Sequence, residues 1–170
     1  MKATKLWMLG LALLAAAAPA GAIEHRLGVG IHAWRTAGEL WDDPTSEKES
    51  DLSALLSYQL VLLRPLKLQL DLEFFPNGFG GSGEEAWSPQ GLIVVGDRLY
   101  LAVGAGVVYS KDLEGSFSDA IYIARLGVDL PIFSRLRLDV CADERAGDLD
   151  ELTAADEDTI TFAVVLRARL

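Results

Sequence analysis

The sequence predicts an all-β chain of eight antiparallel strands, in up-and-down order, closed into a barrel that spans a membrane. Three observations predict it. Apolar and polar residues alternate with a period of two in segment after segment, most plainly in Leu66-Lys67-Leu68-Gln69-Leu70-Asp71-Leu72-Glu73-Phe74. The connections between such segments are alternately short and long, as in barrels with tight turns at one rim and loops at the other. The chain also opens with an apolar segment of the export type.

That opening segment comes first. Lys2 and Lys5 precede an apolar run from Leu6 to Ala18, and Ala20-Gly21-Ala22 fits a small-x-small cleavage site. A helix needs about 20 apolar residues to span a bilayer, and this run is shorter. Residues 1–22 therefore read as a secretory signal peptide, and residues 23–170 as a single barrel domain.

The first strand is expected at about Arg26–Arg35, with Leu27, Val29, Ile31 and Ala33 opposite Gly28, Gly30, His32 and Trp34. The second, about Leu52–Leu62, sets Leu56, Tyr58 and Leu60 against Ser53, Ser57 and Gln59. Arg64-Pro65 marks a tight turn into the third, Leu66–Phe75. The fourth, about Trp87–Val95, departs from alternation: Pro89 lies near its start, and Leu92 to Val95 is a continuous apolar run. Beyond the turn at 96–98 comes the fifth, Leu99–Ser110, then the sixth, Ala120–Leu130. Pro131 to Ser134 turns into the seventh, Arg135–Ala142, and the eighth is Thr159–Leu170. The long connections, near 36–50, 76–86, 111–118 and 143–158, are polar and acidic or glycine-rich.

Alternation shows two faces without saying which points inward. A soluble lipocalin-like barrel is apolar inside; a membrane barrel is the reverse. Here the polar face carries Lys67, Asp71, Glu73, Arg125, Asp129, Arg135, Arg137, Asp139, Arg167 and Arg169, of mixed sign, while the apolar face is nearly free of charge. Opposite charges pair inside a narrow eight-stranded lumen, and Gly28, Gly30, Gly104, Gly106 and Gly127 make room there for long arginines. On the lipid side each Lys or Arg would cost about 2–4 kcal/mol at the midplane. An internal network of Lys67, Asp71, Glu73, Arg125, Asp129, Arg137, Asp139 and Arg167 is expected. The soluble periplasmic barrel with a hydrophobic ligand is the alternative.

This pattern resembles the small eight-stranded outer-membrane β-barrel superfamily, which includes the transmembrane domain of outer-membrane protein A. The resemblance rests on strand pattern over most of residues 23–170, including a final strand with Phe162, Val164, Leu166, Ala168 and Leu170. Leu170 stands where the family usually ends in Phe or Trp. Tyr58, Phe74, Trp87, Tyr109, Tyr122 and Phe162 are the candidate aromatic girdle. The resemblance implies a monomer in the outer membrane of a Gram-negative bacterium. Its partners would be outer-membrane lipids, lipopolysaccharide and the barrel assembly machinery.

The residues name no catalytic centre, cofactor or metal site. His25 and His32 are the only histidines, and neither is followed by Ser two residues on, the pair that the lipid A deacylases of this superfamily carry. His32 reads as a lumen filler and His25 as a residue near the periplasmic rim. Cys141, the single cysteine, cannot form an intramolecular disulfide and reads as a small lumen side chain. The acidic tract at 143–158 lacks the spacing of a calcium loop and reads as a solvated outer loop. A net charge of −10 excludes nucleic acid as a partner. A structural or surface-interaction role, not an enzyme, is the functional expectation.

Overall fold

The computed structural model describes residues 23–34, 52–78, 84–110, 117–150 and 159–170. Residues 1–22, expected to be a signal peptide, Arg35 and parts of each long connection lie outside them. Nine strand segments are present: β1 (Glu24–Ala33), β2 (Leu52–Leu63), β3 (Leu66–Phe75), β4 (Ala86–Gly96), β5 (Leu99–Gly106), β6 (Tyr109–Ser110), β7 (Ile121–Pro131), β8 (Leu136–Ala146) and β9 (Ile160–Arg169). Every pairing is antiparallel; β4 pairs with both β5 and β6, β5 with β7, the other pairs are consecutive, and β1 pairs with β9 to close the barrel.

Segments β5 and β6 are one barrel strand with a break. Both pair with β4 in the same register, Gln90 opposite Gly106 and Trp87 opposite Tyr109. The gap at Val107 lies across from Pro89, which has no N–H to give to the ladder; Val107 N–H donates to the Pro89 carbonyl at 3.2 Å. The barrel therefore has eight strands.

The register also sets the tilt. From Glu24 it runs through Val61, Lys67, Val94, Ala102, Arg125 and Asp143 to Thr161, which pairs one residue beyond Ala33. One circuit therefore climbs from residue 24 to residue 34 of the first strand. Such a stagger belongs with strands tilted by about 35–45°. The connections at 64–65, 97–98 and 132–135 share one end with Glu24 and Arg169. At the 97–98 turn Gly96 has a φ of 132°, where an added Cβ would also press on Tyr100.

The faces are unambiguous. Leu27, Val29, Ile31, Leu70, Ile93, Val95, Leu99, Leu101, Val103 and Leu126 are exposed outward, while Arg26, Lys67, Glu73, Arg125, Asp129, Asp139, Asp143 and Arg167 are buried inside. A soluble barrel holding a greasy ligand requires the opposite arrangement. The apolar run in β4 has a simple basis: Ile93 and Val95 face outward, whereas Leu92 and Val94 face the lumen. There they pack with Tyr100, Ala102, Ile123, Cys141 and Ala163. The lumen thus has an apolar wall beside its charged one.

Three expectations are corrected. The seventh strand runs four residues beyond Ala142, because Asp143 and Arg145 keep the inward parity of Asp139 and Cys141. Asp143 and Glu144 are therefore strand residues rather than loop. Arg135 and Arg169 are not in the lumen: Arg135 is exposed in a turn, and the Arg169 side chain is 57% exposed at the rim. The glycines relieve more than arginines. Gly28 does face Arg167, 2.7 Å from its Cγ to an added Cβ, but Gly30 faces Val165, Gly106 faces Gln90, Gly127 faces the Tyr100 ring and Gly104 faces the Gly91 backbone.

Candidate functional site

The inward-facing polar side chains form three tiers along the lumen. At the short-turn end one carboxylate, Asp129, gathers three cations: Arg137 Nε at 2.6 Å, Arg26 Nη1 at 3.0 Å and Lys67 Nζ at 3.6 Å. Strands β1, β3, β7 and β8 are thereby tied across the bore. Arg26 also donates to Gln59 and to Glu24, and Lys67 to the Asp97 carbonyl.

Two arginines hold the middle tier. Arg167 pairs with Asp139, which also accepts from the Tyr100 hydroxyl at 2.8 Å; Arg167 reaches Ser57 at 3.2 Å. Gly28 leaves space for Arg167 and Gly127 for the Tyr100 ring. Arg125 presents a fork to Asp143, at 2.6 and 2.7 Å, and a third N–H to Asp71 at 2.9 Å. All three of these side chains are fully buried. Pairs of this kind are charge-assisted and bidentate, the geometry in which arginine fixes a carboxylate most firmly.

The outer tier converges on Glu73. It accepts from His32 Nδ1 at 2.7 Å, Trp34 Nε1 at 3.0 Å, Gln90 Nε2 at 2.8 Å, Arg145 Nη2 at 2.9 Å and the Ser53 hydroxyl. His32 Nε2 lies 2.9 Å from Thr161 Oγ1. A carboxylate, an imidazole and a hydroxyl in line are the components of an acyl-transfer triad. The Thr161 hydroxyl also lies 3.2 Å from the Asp143 carbonyl, to which it can donate. The Arg145 guanidinium stacks 4.5 Å from the Trp34 ring and lies 3.0 Å from His32 Nδ1. Above them Phe75, Ala86 and Val108 pack with Trp34 and Ile121 into an apolar layer across the outer mouth. His32 has no exposed surface. Among the described residues the cluster ties β1, β2, β3, β4, β8 and β9 together.

All eight residues expected in the internal network are in it. The structure adds Arg26, His32, Asp143 and Arg145. Arg26 and His32 share the inward parity of Gly28 and Gly30, a signal that was legible. Asp143 and Arg145 were hidden by Glu144, which breaks the apolar outer face. Glu144 is the one Asp, Glu, Lys or Arg on the outward face of the described strands, at the loop end beside Ala124 and Ile160. Cys141 is buried in the lumen as expected. His25 sits at the short-turn rim, its Nδ1 2.6 Å from the Tyr58 hydroxyl. Among the described residues no group of His, Cys, Asp and Glu has metal-binding geometry.

Outside the barrel, aromatic side chains crowd the loop end. Phe74 and Trp87 pack at a tilt with centroids 4.4 Å apart, and Tyr109 lies 5.4 Å from Phe117. Tyr58 instead pairs with Leu27 and Leu70, away from that end.

The fold has a counterpart among solved structures. The crystal structure of Neisserial surface protein A (NspA) matches with a TM-score of 0.51 and 13% identity, over 86% of this chain and 97% of that one. This chain has the fold of a small eight-stranded outer-membrane β-barrel. No protein-family model matches the sequence, and no curated protein does. At 13% identity the likeness to NspA concerns the fold, and the lumen chemistry above stands on this chain's own residues.

Proposed function

We propose that this protein is a monomeric barrel of a Gram-negative outer membrane, with a structural or surface-interaction role and no catalytic one. One observation carries the proposal: apart from Glu144 at the loop end of β8, the outward faces of the barrel strands are apolar, while the other strand charges are turned inward or to the rim and paired. In water, that exposed surface would far exceed the few hundred Å² of contiguous apolar patch usual for a soluble monomer. In a bilayer it is the required solvent-facing surface. Export by residues 1–22 and assembly by the barrel machinery belong to the same proposal. Packed ion pairs in the lumen support a rigid scaffold rather than a channel. The long connections are then the parts that meet the outside, with lipopolysaccharide as neighbour.

The test is outer-membrane fractionation combined with surface labelling. An Asp148→Cys variant should react with a membrane-impermeant maleimide on intact cells and co-fractionate with the outer membrane. Recovery in the soluble periplasmic fraction would overturn the proposal. Labelling only after cell disruption would reverse the assigned orientation.

A further inference from the structure

We propose that the short-turn rim of the barrel binds the phosphates of anionic phospholipids in the leaflet around it. This rests on the membrane-barrel reading above and adds a partner to it. Each of the three tight connections carries one arginine: Arg64 at 64–65, Arg98 at 97–98 and Arg135 at 132–135. All three are exposed, and none forms an ion pair with another described residue. The lumen arginines differ in kind. Arg26, Arg125, Arg137, Arg145 and Arg167 each pair with at least one buried carboxylate. Arg169, at the end of β9, is a fourth rim cation; its Glu24 partner, 3.4 Å away, is shared with Arg26 at 2.6 Å.

The arrangement suits a planar surface rather than a compact ligand. The turns join β2 to β3, β4 to β5 and β7 to β8, so their arginines are spaced around the perimeter. A protein partner would engage one sector; a leaflet meets the whole ring. Beside Arg135 the turn also exposes Ile132 and Phe133, the latter 69% exposed. An apolar tip next to a cation fits the boundary between acyl chains and headgroups. A guanidinium takes two phosphate oxygens at once. The opposite end has the opposite sign: Glu84, Glu85, Asp119, Asp148 and Asp150 are exposed there, with no exposed Lys or Arg among the described residues. The barrel thus carries an axial charge difference, and the basic rim favours the leaflet richer in anionic phospholipid.

The full-length chain is folded into vesicles of equal parts phosphatidylcholine and phosphatidylglycerol, and released in mild detergent. Native mass spectrometry then counts the lipids that remain bound. Phosphatidylglycerol should be retained in preference, by roughly fivefold for each arginine engaged. The R64Q/R98Q/R135Q variant should lose the preference, and E84Q/E85Q should keep it. Added salt should lower the wild-type preference, which tests the rim even if the triple variant folds poorly. Equal retention of both lipids by a wild-type barrel that migrates in its folded form overturns the rim proposal alone. So does a preference that survives the triple substitution, or one that inorganic phosphate removes at low millimolar concentration. A wild-type chain with no folded form in either lipid overturns the membrane-barrel reading beneath it.

Discussion

Replacing Arg125 by Leu tests whether the lumen is held by paired charge. Arg125, on β7, ties that strand to β8 and β3, through Asp143 at 2.6 and 2.7 Å and Asp71 at 2.9 Å. Leu fills part of the volume and leaves two buried carboxylates short of their main partner. Removing one member of a buried pair costs about 3–5 kcal/mol. Asp71 keeps the Gln69 amide at 2.9 Å, and Asp143 keeps Arg145 at 3.5 Å. These residual partners place the expected loss near the lower bound, about 3 kcal/mol. With a urea slope of about 2–3 kcal/mol/M, the midpoint should fall by about 1 M. The assay is urea unfolding in lipid vesicles, followed by gel mobility without boiling. Arg137→Leu is the internal control. Asp129 would keep Arg26 at 3.0 Å and Lys67 at 3.6 Å, and Arg137 is itself one-fifth exposed. Its loss should cost only about 1 kcal/mol. Asp129 is therefore not left unpaired when Arg137 is removed. An unchanged midpoint for Arg125→Leu, or equal losses for the two variants, would refute this account of the lumen.

Three further outcomes are expected. Gly127→Val should drive the Tyr100 ring from its place and break its bond to Asp139, lowering stability by about 1–3 kcal/mol as overpacking does; unfolding in urea checks it. Leu101→Arg places a cation on the outward face, where Leu101 is 64% exposed. It should destabilise the barrel by about 2–4 kcal/mol in a bilayer, whereas a soluble barrel would tolerate it; vesicle folding yield separates the two. Cys141, 2% exposed in the lumen, should resist alkylation in the folded barrel and react fully in urea, as mass spectrometry would show.

The strands were legible because the outward face of each is apolar, save Glu144 in β8, so the two-residue period survives along most of their length. β3 shows it best: its observed bounds, Leu66–Phe75, are those the alternation predicts. Legibility failed where a face carries mixed chemistry. In β4 both faces are apolar at Leu92–Val95, because the lumen has an apolar wall there. In β8 the outward Glu144 makes Asp143-Glu144-Arg145 look like a polar loop. The sequence pattern also cannot pair charges across the bore. Arg125 and Asp71 are 54 residues apart, and Arg26 and Asp129 are 103 apart. Only the closure of the sheet brings them together. The convergence of five donors on Glu73 is likewise a product of closure, drawing on β1, β2, β4, β8 and Trp34.

The central claim is a closed barrel with its apolar face toward lipid. It is tested most directly by gel electrophoresis in SDS, with and without boiling, after membrane fractionation. The account predicts a protein that needs detergent for extraction and whose mobility shifts on boiling. A protein released without detergent, with one mobility in both lanes, would contradict it.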